Sequence, residues 1–130
     1  FSGVVWALTN AAALSLNDST YLSIESSQTV RAQLQSRTGG ALQVARQAGG
    51  SDQLGLIKTA SRVKASDWAL DTDKTTISAI ASGAPPAVTL DRLGIGVNWA
   101  LAANQPNAPI TSIVLVPRAW SNTEITARAA

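Results

Sequence analysis

Apolar and polar residues alternate along much of this chain, most regularly between residues 29 and 36. Every second position from Val30 to Leu34 is apolar, and the positions between them are polar. This period of two is typical of a strand with one face on a core and the other in water. A helix is disfavoured because Arg31 and Gln35 would lie on the same face and interrupt its apolar stripe.

Further short apolar or alternating segments are separated by turn signals such as Thr38-Gly39-Gly40. We expect a bulge at Ser66-Asp67, where the alternation changes phase, and a tight turn from Asp71 to Asp73. Short strands with turns every ~8 to 12 residues favour a sandwich or barrel. The predicted strands cover residues 4–9, 21–25, 29–36, 42–45, 54–58, 62–70, 74–80, 90–97 and 110–116.

One helix is predicted at the end of the chain. Ser121-Asn122-Thr123-Glu124 matches a capping box, in which Ser121 and Glu124 bond each other's main-chain N–H groups. Trp120 precedes the cap and Ile125 follows it, which is the spacing of a hydrophobic staple. Pro117 ends the preceding apolar segment because proline cannot donate to a strand ladder. The unit is therefore a strand, a proline, an aromatic residue and a capped helical turn.

This ending resembles that of a concanavalin A-like (laminin G-like) jelly-roll domain of tailed-bacteriophage virion proteins. The resemblance is clearest at Val-Pro-Arg-Ala-Trp-Ser-Asn-Thr-Glu-Ile, residues 116–125, and it extends over most of the chain from about Ser19. Residues 38–44, 62–64 and 90–96 are similar to a hairpin, the central strand and a late strand of the family. The chain departs from the family at Asp71-Thr72-Asp73, where an Asn-Gly hairpin is usual, and in the loop 98–109.

The alternation and the resemblance together predict an all-β protein, an antiparallel jelly-roll β-sandwich of the concanavalin A-like kind. A short C-terminal helix is expected to seal one edge or end of the sandwich. The length of 130 residues fits one domain over residues 1–130. Because the chain does not begin with methionine, we expect a processed chain or a fragment, with the first family strand missing or truncated before Phe1.

Composition removes several classes of chemistry. The chain has no cysteine and no histidine, so a Ser-His-Asp triad, a Cys-His pair and a cysteine-based zinc site are excluded. No stretch approaches the ~18 to 20 apolar residues of a membrane span. A nucleic-acid partner is disfavoured because the net charge is only +2 and the basic residues look scattered. These scattered residues include Arg31, Arg37, Arg46, Lys58, Arg62 and Lys64.

Two groups of acidic residues are candidates for reactive or metal-binding sites. Asp71 and Asp73, with Asp67 nearby, could share calcium, but turn formation explains them better and Lys74 would repel an ion. Asp91 and Glu124 could form a glycosidase pair, but the strand motif of glucanases is missing. We therefore expect no cofactor and no enzymatic activity.

The four tryptophans are the other candidates for a binding site. Trp6 and Trp68 fall in predicted strands and are expected in the core, whereas Trp99 lies in the loop 98–109 and is expected to be exposed. Neighbouring amides could bond sugar hydroxyls, but contact with another protein would use the same residues. These amide side chains belong to Asn98, Asn104, Gln105 and Asn107.

The resemblance implies a non-enzymatic structural module of a tailed phage, in capsid decoration or in the tail. Its expected partners are other virion proteins, including further copies of itself, and its expected location is the virion. The alternative is a carbohydrate-binding module that recognises host-surface glycan around Trp99. No nucleic-acid or membrane partner is expected.

Overall fold

A computed structural model describes residues 2–10, 17–27, 29–48, 57–72, 77–96 and 109–130. The described residues form eight strands and one helix, so the prediction of an all-β chain with a short C-terminal helix is confirmed. The elements are β1 (Ser2–Thr9), β2 (Ser19–Ser27), β3 (Thr29–Thr38), β4 (Ala41–Ala48), β5 (Thr59–Arg62), β6 (Trp68–Thr72), β7 (Ser78–Ile80), β8 (Arg92–Ile95) and α1 (Asn122–Ala129).

The strands form two antiparallel sheets. The larger sheet has the order β4-β3-β2-β1-β8, and the smaller has the order β5-β6-β7. Most neighbours in each sheet are also neighbours in sequence, because short turns join antiparallel strands. The exception is β8, which returns from the far side of the sandwich to lie beside β1.

The main core lies between the two sheets. Leu22 and Leu34 from the larger sheet pack with Trp68 and Leu70 from β6, and all four side chains are almost fully buried. The alternation predicted for β3 is confirmed at Leu34, which faces this core. Two stacked sheets that share an apolar core form a β-sandwich.

The polar face of β3 is less exposed than its sequence predicts. Gln33 is buried rather than wet. The Tyr21 hydroxyl donates to Oε1 of Gln35, and Nε2 of Gln35 donates to Oε1 of Gln33, each at 2.5 Å. These bonds satisfy the amides away from bulk water, as buried polar groups require.

Helix α1 covers the opposite face of the smaller sheet. Ile125 and Ala129 of the helix pack against Ala60 of β5 and Ala69 of β6. Successive strand residues point to opposite faces, so Ala69 meets the helix while its neighbours Trp68 and Leu70 fill the core. The helix therefore covers a sheet face that includes the outer strand β5.

The predicted strand over residues 62–70 is wrong in one respect. β5 ends at Arg62 and β6 begins at Trp68, and the residues between them form a turn rather than a bulge. Ser66 has φ of 56°, and the N–H of Asp67 donates to the carbonyl of Lys64 at 2.9 Å. The change of phase in the sequence marks a chain reversal, and Val63 in this turn lies at the surface.

The predicted strand over residues 110–116 is also not formed. Among the described residues, no main-chain hydrogen bond joins this segment to a strand. A β-branched sequence favours an extended backbone, but a strand also needs a partner at hydrogen-bonding distance. The outer edge of β5 lies across an open groove from this segment.

Candidate interaction groove

An open groove separates β5 from the segment that leads to the helix. One wall is residues 57–64, which contain β5, and the other is residues 109–120. Its floor includes Trp6 and Leu8 of β1, and its volume is about 1290 Å³. We call this feature the β5 groove.

The β5 groove gathers most of the exposed large hydrophobic side chains of the described residues. Val114 and Leu115 are 70% and 62% exposed, which is unusual for aliphatic residues in a strand-like sequence. Scattered exposed apolar residues need no explanation, whereas a continuous patch indicates an interaction surface. The exposed residues that line the groove are Val63, Leu93, Val114, Leu115 and Val116.

The groove also presents an unpaired sheet edge. Within the described residues β5 pairs only with β6, so its outer edge offers main-chain groups without a strand partner. Residues 110–116 on the other wall likewise make no ladder. Such edges are templates for pairing with another extended chain.

The two faces of β5 differ in character. Ser61 lies opposite Leu70 in the ladder, so Ser61 and its neighbour Thr59, two positions away, face the interior of the sandwich. Ala60 and Arg62 face the helix instead, as Ala60 packs against α1. Lys58 lies on this second side as well, because its Nζ donates to the Ala130 carbonyl at 2.7 Å.

The groove lining is basic. Half of the ten lysines and arginines of the chain line it, whereas none of the described acidic side chains does. Two carboxylates outside the lining neutralise part of this charge: Asp67 pairs with Arg62, and Glu124 with Arg118. Among the described residues, the groove lining therefore carries basic but no acidic side chains. The lining basic residues are Lys58, Arg62, Lys64, Arg118 and Arg128.

Arg62 connects the two walls of the β5 groove. Its side chain is only 9% exposed, its Nη1 donates to the Trp120 carbonyl and its Nη2 to Oδ1 of Asp67, both at 2.5 Å. Lys64 lies 3.9 Å from the other carboxylate oxygen of Asp67. The Arg128 guanidinium lies over the Trp120 ring, 5.6 Å from its centroid, in a cation–π contact.

The predicted capping box is confirmed at the start of α1. The N–H of Glu124 donates to Oγ of Ser121 at 3.3 Å, and the N–H of Ser121 donates to Oε2 of Glu124 at 2.8 Å. Hydrogen bonds from Arg118 and then from the Ser121 main chain lower the pKa of Glu124 to about 2. The carboxylate in turn raises the pKa of Arg118. Trp120 packs on the cluster that contains Ile125, as the predicted staple requires.

The other sequence-predicted site residues do not join the β5 groove. Asp71 is buried inside β6 rather than in a turn, and its Oδ1 accepts from the N–H of Thr72 at 2.8 Å. Within the described ranges, no three acidic side chains come together as a metal site would need. The remaining predicted residues lie outside the described residues: Asp73, Trp99, Asn98, Asn104, Gln105 and Asn107.

The basic lining of the groove is hard to recognise in the sequence, because its lysines and arginines are spread from residue 58 to residue 128. Lys58, Arg62 and Lys64 occupy even positions around one short strand, and this period of two was the available signal. Arg118 and Arg128 reach the same groove only through the packing of α1 and the preceding segment on β5, which a linear pattern does not show.

Comparisons of the chain with protein-family models, with curated proteins and with solved structures each find no match. No helix in the described part of the chain is long and apolar enough to cross a membrane.

Proposed function

We propose that this chain is a non-enzymatic structural module that acts through protein–protein contacts at the β5 groove. The observation that carries the proposal is the concentration of exposed aliphatic side chains along one groove, led by Val114 and Leu115. Aliphatic side chains form the cores of protein interfaces and offer little to a sugar hydroxyl. A protein partner therefore suits this surface better than a glycan.

The proposed setting is the virion of a tailed phage, in the capsid or the tail, and the proposed partners are other virion proteins or further copies of this chain. This setting rests on the resemblance of residues 116–125 to concanavalin A-like domains of virion proteins. We also propose that the sandwich is a jelly roll of that kind. The return of β8 to the side of β1 supports this topology.

Crosslinking of purified phage particles that carry the chain tests the proposal. Lys58 and Lys64 both line the groove, so an amine-reactive crosslinker is expected to join one of them to another virion protein or to a second copy. Mass spectrometry identifies the joined peptides. Particles that lack the chain, or crosslinks confined within single chains, would contradict the proposed function.

A variant pair sharpens this test. Val114→Ser combined with Leu115→Ser removes aliphatic surface from the groove and is expected to reduce incorporation into particles. Leu42→Ser is the matched control, since Leu42 is 51% exposed on β4 and does not line the groove. Equal incorporation of both variants would show that the groove is not the contact surface.

A further inference from the structure

We propose that the β5 groove binds an extended peptide segment, added as a strand to the outer edge of β5, in which apolar and acidic residues alternate. The inference rests on the proposed function, since it names the occupant of the same contact surface. Three features of the groove each specify one property of that occupant. They are the outer edge of β5, the apolar interior, and the basic side chains on the side of β5 that faces α1.

The first property is an extended backbone. The outer edge of β5 has no strand partner among the described residues, and the facing residues 110–116 make no ladder. A strand between the two walls gains main-chain hydrogen bonds from β5, in the manner of β-strand addition. A helix cannot make these bonds, because its own N–H and C=O groups are already paired.

The second property is an apolar residue at every second position. Side chains of an added strand alternate between the two faces of the sheet, as those of β5 do. One set lies on the side of Thr59 and Ser61 and enters the interior toward Trp6 and Leu8. Aliphatic side chains suit that floor, because burial of apolar surface is favourable there.

The third property is a carboxylate at the positions between. The other set of side chains lies on the side of Lys58 and Arg62, where the described lining of the groove is basic. Lys64 and Arg128 also line the groove. Glutamate or aspartate side chains complement the charge, and charge complementarity selects partners and their orientation.

The size of the groove fits such a segment. Its volume of about 1290 Å³ exceeds the ~300 to 1,000 Å³ of most small-molecule pockets. The wall that contains β5 runs from residue 57 to residue 64. At ~3.3 Å per residue, a strand of similar length runs the whole wall.

Residues 110–116 are a poorer occupant, whether from this chain or from a second copy. Their sequence, Ile-Thr-Ser-Ile-Val-Leu-Val, supplies apolar side chains but no carboxylate. Closure by this segment would leave the basic wall without complementary charge. The observations therefore favour a partner segment that carries its own acidic residues.

Synthetic peptides test the proposal directly. The probe is a blocked peptide of about eight alternating valine and glutamate residues, matched to the length of the wall at strand spacing. Binding is followed by calorimetry and by tryptophan fluorescence, since Trp6 and Trp120 line the groove. Saturable binding is expected, and a valine–lysine peptide of equal length is expected to bind at least about tenfold more weakly.

Main-chain pairing is tested with N-methylated forms of the same probe. Methylation of every second amide removes donors from one edge of the peptide only. Two peptides are compared, one methylated on the valine amides and the other on the glutamate amides. The peptide whose methyl groups face β5 is expected to lose binding, and the other is expected to retain it. Binding by both methylated peptides would overturn strand addition.

The basic wall is tested with Lys58→Glu combined with Lys64→Glu. This variant is expected to bind the valine–glutamate probe about tenfold more weakly and the valine–lysine probe more tightly. A misfolded variant would not bind the valine–lysine probe more tightly, so this gain in affinity distinguishes charge reversal from misfolding. The control is Arg92→Glu, an exposed residue of β8 outside the groove lining, which is expected to leave both affinities unchanged.

The proposal would be overturned by no saturable binding of the valine–glutamate probe, or by equal binding of both probes. It would also be overturned by a dimer of this chain that the probe does not dissociate, because a second copy would then occupy the groove. Crosslinks from Lys58 or Lys64 to another virion protein would then still support the proposed function. The two hypotheses therefore fail separately.

Discussion

Arg62 and Trp120 lie 58 positions apart in the chain, yet Nη1 of Arg62 donates to the main-chain carbonyl of Trp120. The bond joins the end of β5 to the residue that precedes the cap of α1. The same guanidinium also pairs with Asp67 in the turn after β5. One buried arginine thus joins β5 to the turn that follows it and to the segment that leads into the helix.

Arg62→Met is expected to lower the free energy of unfolding by about 2 to 3 kcal/mol, because hydrogen bonds to a charged group are lost from a buried site. Methionine keeps much of the aliphatic volume, so little of the loss comes from a cavity. Urea unfolding monitored by circular dichroism measures the change. Arg92→Met at the exposed edge of β8 is the control, and an equal effect of both would refute the role of Arg62.

Gly83→Ala is expected to destabilise the sandwich by about 2 to 4 kcal/mol through overpacking and backbone strain. Gly83 has φ of +89°, and a Cβ there would clash with Cγ2 of Val44, a buried core residue. Gly39→Ala is the matched control, since Gly39 also has positive φ, of +56°, but no neighbour within 4 Å. It is expected to cost about 1 kcal/mol. Thermal unfolding of the two variants should therefore differ clearly, and similar melting curves would rule out the contact with Val44.

Ser121→Ala is expected to cost about 1 kcal/mol, the usual value for loss of an N-cap side chain. The Ser121 hydroxyl accepts from the N–H of Glu124, which is the N-cap bond of α1. Thr123→Ala tests whether the effect belongs to the cap, because Thr123 is exposed in the first turn. If both variants unfold at the same urea concentration, the capping box does not stabilise the fold.

The pKa of Glu124 should be about 2 in the folded chain, lowered from 4.5. Because the pKa of Glu124 is lower in the folded chain than in the unfolded chain, its ionised carboxylate stabilises the fold fully at pH values above the unfolded-state pKa. The contribution is lost as the pH falls from about 4.5 toward 2. Carboxyl chemical shifts measured across this range report the pKa directly.

Arg118→Gln is expected to raise the pKa of Glu124 toward its ordinary value, because the hydrogen bonds from Arg118 are the largest cause of the shift. Arg128→Gln serves as the comparison, since Arg128 lies over Trp120 and makes no ion pair with Glu124. An unchanged pKa in Arg118→Gln would show that the cap alone holds the carboxylate ionised.

Features set by neighbouring residues were predictable from the sequence. The alternation around Leu34 predicts β3, because the side chains of a strand alternate whatever surrounds it. Thr38-Gly39-Gly40 predicts a turn, and both glycines have positive φ. The capping box at Ser121 and Glu124 was predictable for the same reason, since its partners are three residues apart.

The groove was not predictable in this way. The turn after Arg62 and the unpaired segment 110–116 depend on where β6, α1 and the larger sheet come to lie. The positive charge of the groove depends on Arg118 and Arg128 being brought beside β5. Contacts between residues so far apart in sequence leave no fixed spacing for a pattern to detect.

The sequence by itself determined the strand character, the closing capped helix and the exclusion of cysteine and histidine chemistry, because each depends on residue type and short spacing. Within the described part of the chain, the tertiary structure alone decided that residues 110–116 form no ladder and that β5 has an open edge beside basic side chains. Pairing and charge excess are properties of surfaces that meet in space. They arise only after the chain has folded its distant segments together.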